Sequence, residues 1–187
     1  DLVDVRLREG NVHTAEGALD FILPLIDRLE SEMCQVASVR LDAGFPEDQL
    51  LSALEARSVG YVARIKKNTR LKDLAAPFLQ ALPPSLGPEP RLAFHELSYQ
   101  AASWNATRRI VLVLQQSEGD LFPQFFFLLT NWPAEQTPAV ALLDLYRQRG
   151  TAEGHFGELM SVLEPALSST RRTKSHYRGE EPKRRYA

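Results

Sequence analysis

One cysteine, Cys34, occurs in 187 residues, so neither an internal disulfide nor a cysteine-based zinc cluster can form. No apolar run approaches the ~18 residues of a membrane helix, and the opening DLVDVRLREG is not a signal peptide. Phosphate-loop and GxGxxG patterns are absent, which removes the common glycine-rich nucleotide-binding loops. His13, His95, His155 and His176 show no metal-ligand spacing, and no internal repeat is present. These absences fit a protein without a membrane segment, in a reducing, cytoplasmic setting. Cys34 sits in an apolar-rich stretch and is expected to be a small buried side chain rather than a nucleophile.

What is there suits one globular domain: 44% of residues are hydrophobic and 25% charged, enough for a substantial core without a metal staple. The net charge of −2 conceals an uneven distribution. Residues 1–60 hold 12 acidic and 5 basic side chains, whereas 171–187 (RRTKSHYRGEEPKRRYA) hold 7 basic and 2 acidic. A basic tail can track a phosphate backbone, or simply be solvated as charged termini usually are.

Alternation in LVDVRLREG predicts a strand with Val3, Val5 and Leu7 on one face. Thr14 is placed to cap a helix over about 15–32, where Leu19, Ile22, Leu23, Ile26 and Leu29 recur at helical spacing. A short strand in QVASVRLDAGF follows, then a helix opened by Pro46 and carrying Leu50, Leu51 and Leu54. GYVARI reads as a strand, and LKDLAAPFLQAL as a helix broken or kinked at Pro77. Strand–helix–strand–helix–strand implies parallel strands with crossover helices. After LPPSLGPEP, with four prolines in nine residues, come RLAFHELSYQA, RRIVLVLQQ and PQFFFLLTN, three strands with connections short enough for hairpins. Helices resume at Pro138 and are expected to reach about Leu163, with a bend at Gly150.

Two places could carry chemistry. Asp42 follows a predicted parallel strand, where open α/β sheets bind ligands, although Asp is also a common turn residue. Tyr146, Arg149 and Glu153 are spaced by three and four and share one helical face. Arg149 and Glu153 could be an ordinary surface pair; alternatively Tyr146 and Arg149 grip a phosphate while Glu153 binds a divalent cation. Metal-assisted phosphodiester cleavage needs two or three carboxylates converging from separate elements, and Asp42 and Glu153 are suitable.

RLDAGF, followed much later by YRQRGTAEGHFGELM, resembles the DDE transposases of bacterial insertion sequences, in the group marked by Tyr-x2-Arg-x3-Glu-x6-Lys. Tyr146, Arg149 and Glu153 match its first three positions, while Met160 stands where the Lys belongs, so Arg147, Lys66 or another residue must compensate. ARIKKN and LLTN are further points of likeness, and the resemblance spans nearly the whole chain. It implies an α/β, ribonuclease H-like fold: a five-stranded mixed sheet flanked by helices, with a β-rich insertion before the last catalytic helix. On that plan 1–82 is the first part of the core from its third strand onward, 83–135 the insertion, 136–170 the final core helices and 171–187 a basic tail. The first catalytic Asp is then expected upstream of residue 1, Asp4 being a poor substitute and Asp1 a worse one, which makes this chain an incomplete catalytic domain.

By the same resemblance Asp42 and Glu153 are catalytic ligands of Mg²⁺ or Mn²⁺, and Tyr146, Arg149 and Lys66 contact DNA. The expected activity is endonucleolytic cutting of transposon ends and their joining to target DNA, by a homodimer in the DNA complex. The alternatives are an inactive remnant that binds DNA or a partner protein, and a ribonuclease H-like nuclease outside transposition. Trp104 and Trp132 could stack on an unpaired base, but a half-buried place at a sheet end is the commoner fate.

Overall fold

The structure, a computed structural model, describes residue 4 and residues 15–81, 90–120 and 122–148. By its internal contacts the chain divides after Tyr146; of the second unit, 147–187, only Arg147 and Gln148 are described. The strand expected in LVDVRLREG, the cap at Thr14 and everything from Arg149 onward lie outside the described residues.

The described chain runs α1 (Leu19–Glu32), β1 (Ser38–Leu41), α2 (Asp48–Ala56), β2 (Gly60–Ile65), α3 (Thr69–Ala81), β3 (Arg91–Tyr99), β4 (Arg108–Gln116), β5 (Gln124–Thr130) and α4 (Ala139–Arg147). The strands form one mixed sheet in the order β1-β2-β5-β4-β3. β1 and β2 are parallel, Leu41 beside Ala63, with α2 as their crossover. The other three pairings are antiparallel. The strands of 83–135 therefore extend the same sheet as the parallel pair, because β5 hydrogen-bonds to β2 from Val62–Thr130 to Ile65–Phe127.

Alternation along the strands divides the core in two. Leu41, Ala63, Ile65, Ile110, Leu112, Leu114, Phe127 and Leu129 face α1–α3, where they meet Ile26, Leu50, Leu51, Leu54, Leu71 and Ala75. Val62, Val111, Val113 and Leu128 face the other way, onto Leu142 and Leu143 of α4. The fold is thus α/β, a mixed five-stranded sheet with helices on both faces, in agreement with the expected class. IVLVL in β4 (110–114) is apolar without interruption because both of its faces are covered. Leu51 and Leu54 are fully buried, and each contributes roughly 1.5–3 kcal/mol by leaving water.

Several boundaries differ from the sequence reading for local reasons. Gly17 has φ 69°, a left-handed turn, so α1 begins at Leu19 instead of about 15. Pro77 does not end α3, which continues to Ala81. Its ring and the deprived carbonyl of Asp73 belong to exposed residues, where water can serve as partner. Asn68 caps α3, its Oδ1 accepting the Leu71 N–H at 2.9 Å. α2 ends with Ser58 at φ 57° while the Val59 N–H bonds back to the Leu54 carbonyl at 3.0 Å, which turns the chain directly into β2.

The exit from the sheet is made by side chains. Asn131 accepts the Tyr61 N–H at 3.0 Å and donates to the Val59 carbonyl at 3.0 Å, one rung beyond the β2–β5 ladder. The Trp132 indole lies where a Cβ on Gly60 would stand, so only glycine fits there. Arg109 holds the Trp132 carbonyl at 2.9 Å and pairs with Glu96 at 2.7 and 2.9 Å. The chain then enters α4.

Candidate functional site

Asp42 is the first residue beyond β1, at the carboxyl end of the parallel pair, and is exposed. Its Oδ1 accepts the Ala43 N–H at 2.7 Å and its carbonyl accepts the Phe45 N–H at 3.0 Å. It therefore has the turn role that such an Asp often plays, in the position where ligands of α/β sheets bind. Val39 and Leu41 face α1–α3, so Arg40, between them, faces α4.

α4 comes to that same side. Tyr146 is half-buried against the core formed by Val62, Leu128, Leu142 and Leu143. Arg40 Nη1 reaches the Leu145 carbonyl, next to Tyr146, at 3.5 Å. A cation at the last carbonyls of a helix meets the negative end of its dipole, so Arg40 favours the approach of β1 to the end of α4. Arg149 and Glu153 lie outside the described residues. Asp4 pairs with Arg28 of α1 at 3.2 Å.

Lys66 is exposed just past β2 and borders a cleft of about 270 Å³ on the α1–α3 side of the sheet. Its floor is Ile65, Leu71, Tyr99 and Trp104, and Ala43 and Gly44, just after Asp42, form part of its wall. Lys66 and Asp42 thus leave neighbouring strand ends, while the cleft and α4 occupy opposite faces.

Arg108 forms a site that the sequence reading missed. Its side chain is 3% exposed, with Nη1 2.8 Å from Asp48, Nε 2.7 Å from Glu55 and Nη2 3.0 Å from Ser52 Oγ. Its guanidinium lies 5.2 Å from the centre of the Trp104 ring, and the Tyr61 hydroxyl donates to Glu55 at 2.6 Å. The Arg108 hydrogen bond holds the Asp48 carboxyl below its ordinary value. Burial alone would raise Glu55, but bonds from Arg108 and Tyr61 outweigh it and its value is lowered. Burial first, then Glu55, pushes the Tyr61 phenol up. Each of these groups is bonded to another, so the network fastens α2 to β2 and β4.

The aromatic and sulfur residues resolve plainly. Trp104 is 7% exposed, packed edge-on against Tyr99, and Trp132 lies against Gly60, so both serve the sheet ends. Cys34 is exposed, contrary to the expectation of burial. It follows the end of α1 beside Met33, which is 73% exposed; the apolar composition there does not form an inward face. Among the described residues no three His, Cys, Asp or Glu side chains are grouped to hold a metal ion. Among them, too, no helix is long and apolar enough to cross a membrane.

A mixed sheet with an acidic residue leaving a parallel strand, and a late helix bearing Tyr146 packed beside it, is the arrangement expected of a DDE transposase domain. The family Transposase DDE domain group 1 matches residues 1–178, and the protein belongs to that family. It is a transposase by family, DNA is its partner, and such domains generally use divalent metal ions. No curated protein matches the chain.

Proposed function

We propose that the protein takes part in metal-dependent cleavage and joining of DNA at transposon ends, with Asp42 and Glu153 as metal ligands and Tyr146, Arg149 and Lys66 as DNA contacts. The observation that carries this reading is the approach of α4 to the end of β1 on one sheet face, with Arg40 on the Leu145 carbonyl. It supports a site that draws on both the end of β1, where Asp42 follows, and the end of α4, where Tyr146 lies. Glu153 follows the end of α4 by six residues in sequence.

The donor chemistry fits. Carboxylate oxygens are the ligands that hard divalent cations take, and the exposed Asp42 at a strand end can present one. Mg²⁺ or Mn²⁺ held there supplies Lewis-acid polarisation of the phosphate and a more acidic attacking hydroxyl. Arg149 offers a planar fork of donors to two phosphate oxygens, fixing the strand for in-line attack on phosphorus. Tyr146, half-buried, adds one hydroxyl on a rigid ring. Lys66, a flexible point charge, holds a flanking phosphate. Segment 83–135 places β5 against β2 and so sets where α4 begins.

The test is Glu153→Gln in the full-length protein, assayed for nicking and strand joining in Mg²⁺ and separately for DNA binding. Cleavage should fall at least a thousandfold, roughly what loss of several kcal/mol of transition-state stabilisation means, with binding unchanged. Equal loss of both would remove Glu153 from the metal site. Cutting without joining would favour a nuclease, and binding without cutting by the unsubstituted protein would favour a DNA-binding remnant.

A further inference from the structure

Several arginines have carboxylate partners: Arg28 with Asp4, Arg57 with Asp27, Arg108 with Asp48 and Glu55, and Arg109 with Glu96. The segment ARIKKNTRLK (63–72) behaves differently. Arg64, Lys66, Lys67, Arg70 and Lys72 are all exposed, and none of the five is paired with a carboxylate among the described residues. Three of them are laid on aromatic rings: Arg64 at 4.9 Å from the centre of Phe126, Lys67 at 3.9 Å from Phe125 and Arg70 at 5.6 Å from Tyr99. Arg70 also donates to the Gln100 carbonyl at 3.1 Å.

Ring faces attract cations without neutralising them, so these heads are held in place with their charge still open to solvent. Phe126 belongs to the α4 face of the sheet and Phe125 to the α1–α3 face. The cations therefore wrap around the carboxyl end of β2, next to Asp42 at the end of β1. Partial burial, then the positive charges of Arg64 and Lys72, hold the Lys67 ammonium below its ordinary value. Like charges gathered at one strand end repel, and a polyanion laid across them relieves that repulsion. Duplex DNA, with one charge per ~1.7 Å of axis, is a polyanion of suitable density.

We infer that Arg64, Lys67 and Arg70, together with Lys72, form a sequence-independent track for the phosphate backbone of double-stranded DNA, leading the duplex past the end of β2 to the Asp42 side. The track rests on the transposase reading for its ligand but requires no metal and no cleavage. Contacts of this kind to phosphate fix the position of a duplex and carry no sequence information of their own.

The experiment measures binding of the full-length protein to a short duplex of arbitrary sequence, by fluorescence anisotropy without divalent metal, at salt from about 50 to 200 mM. In R64Q/K67Q/R70Q the slope of log K against log salt should flatten by about 2 to 3, near 0.9 per lost phosphate contact. R28Q/R57Q, which removes paired arginines, should keep the original slope. R64K/K67R/R70K should keep most of it, and thermal unfolding of each variant separates lost charge from lost fold. An unchanged slope in the glutamine variant overturns the track, as does an equal loss in R28Q/R57Q. Polyglutamate binding with no DNA binding would assign the surface to an acidic polypeptide and also overturn it. Failure of Glu153→Gln to stop cleavage strikes the metal site alone and leaves this slope where it was.

Discussion

Arg108 and Lys67 are both cations set close to an aromatic ring, yet the protein handles them in opposite ways. Arg108 is 3% exposed, and its guanidinium nitrogens meet Asp48, Glu55 and Ser52. Lys67 stands exposed over Phe125 among other cations. In the first region charge is bought back within the fold, so the region is a fastener. In the second the charge is left over, so the region can act on something outside. The same residue types give structure or recognition according to whether carboxylates stand beside them.

The largest expected effect breaks the fastener. Arg108→Leu strands Glu55 and Asp48 in a site built for a cation and should cost about 3 kcal/mol, toward the low end for a broken buried pair because Glu55 is still 32% exposed. Urea unfolding measures it, and a loss under about 1 kcal/mol would mean the carboxylates simply rehydrate. Tyr61→Phe removes one donor to Glu55 and should cost roughly 1.5 kcal/mol by the same measurement.

Acid should act on the two regions unequally. Asp48 and Glu55 titrate below their ordinary values in the fold, so their contribution is complete above the unfolded carboxylate range, about 4. It is lost as pH falls through the folded values. Thermal unfolding followed downward from pH 6 should show this loss in the native protein and a smaller one in Arg108→Leu; parallel curves would remove the network from the acid response. The smallest effect belongs to the cation track. R64Q/K67Q/R70Q should cost no more than about 1 kcal/mol, the loss of three exposed cation–π contacts being partly offset by relief of the repulsion among like charges. A larger loss would make the track structural.

How far the sequence foretold the molecule follows from the range of each signal. β2 has the bounds read from GYVARI, and β4 those read from RRIVLVLQQ, because continuous apolar runs between polar neighbours are local. Asp42 could be placed at a strand end for the same reason. The Arg108 network could not be seen, since its partners lie 53 and 60 residues away and nothing near Arg108 marks it as buried. Cys34 was misjudged because apolar neighbours define a face only when they share a period, and the stretch after α1 has none. Asn68 was overlooked as a helix start although it stands at the position a cap requires. The spacing of Tyr146, Arg149 and Glu153 was visible from the start; of the three the structure describes only Tyr146.

The contact of Asn131 with Val59 and Tyr61 has a consequence for geometry at a distance. A carboxamide that impersonates a peptide unit lets the polypeptide depart from β5 without leaving two main-chain groups bare. With Trp132 seated on Gly60, this departure point fixes where the chain leaves the sheet on its way to α4, which Leu142 and Leu143 then hold against the sheet face. A side chain at Gly60 would have to displace the Trp132 indole, and loss of the Asn131 carboxamide would leave the Tyr61 N–H and the Val59 carbonyl to find other partners, so both positions bear on how the chain reaches the helix that carries Tyr146.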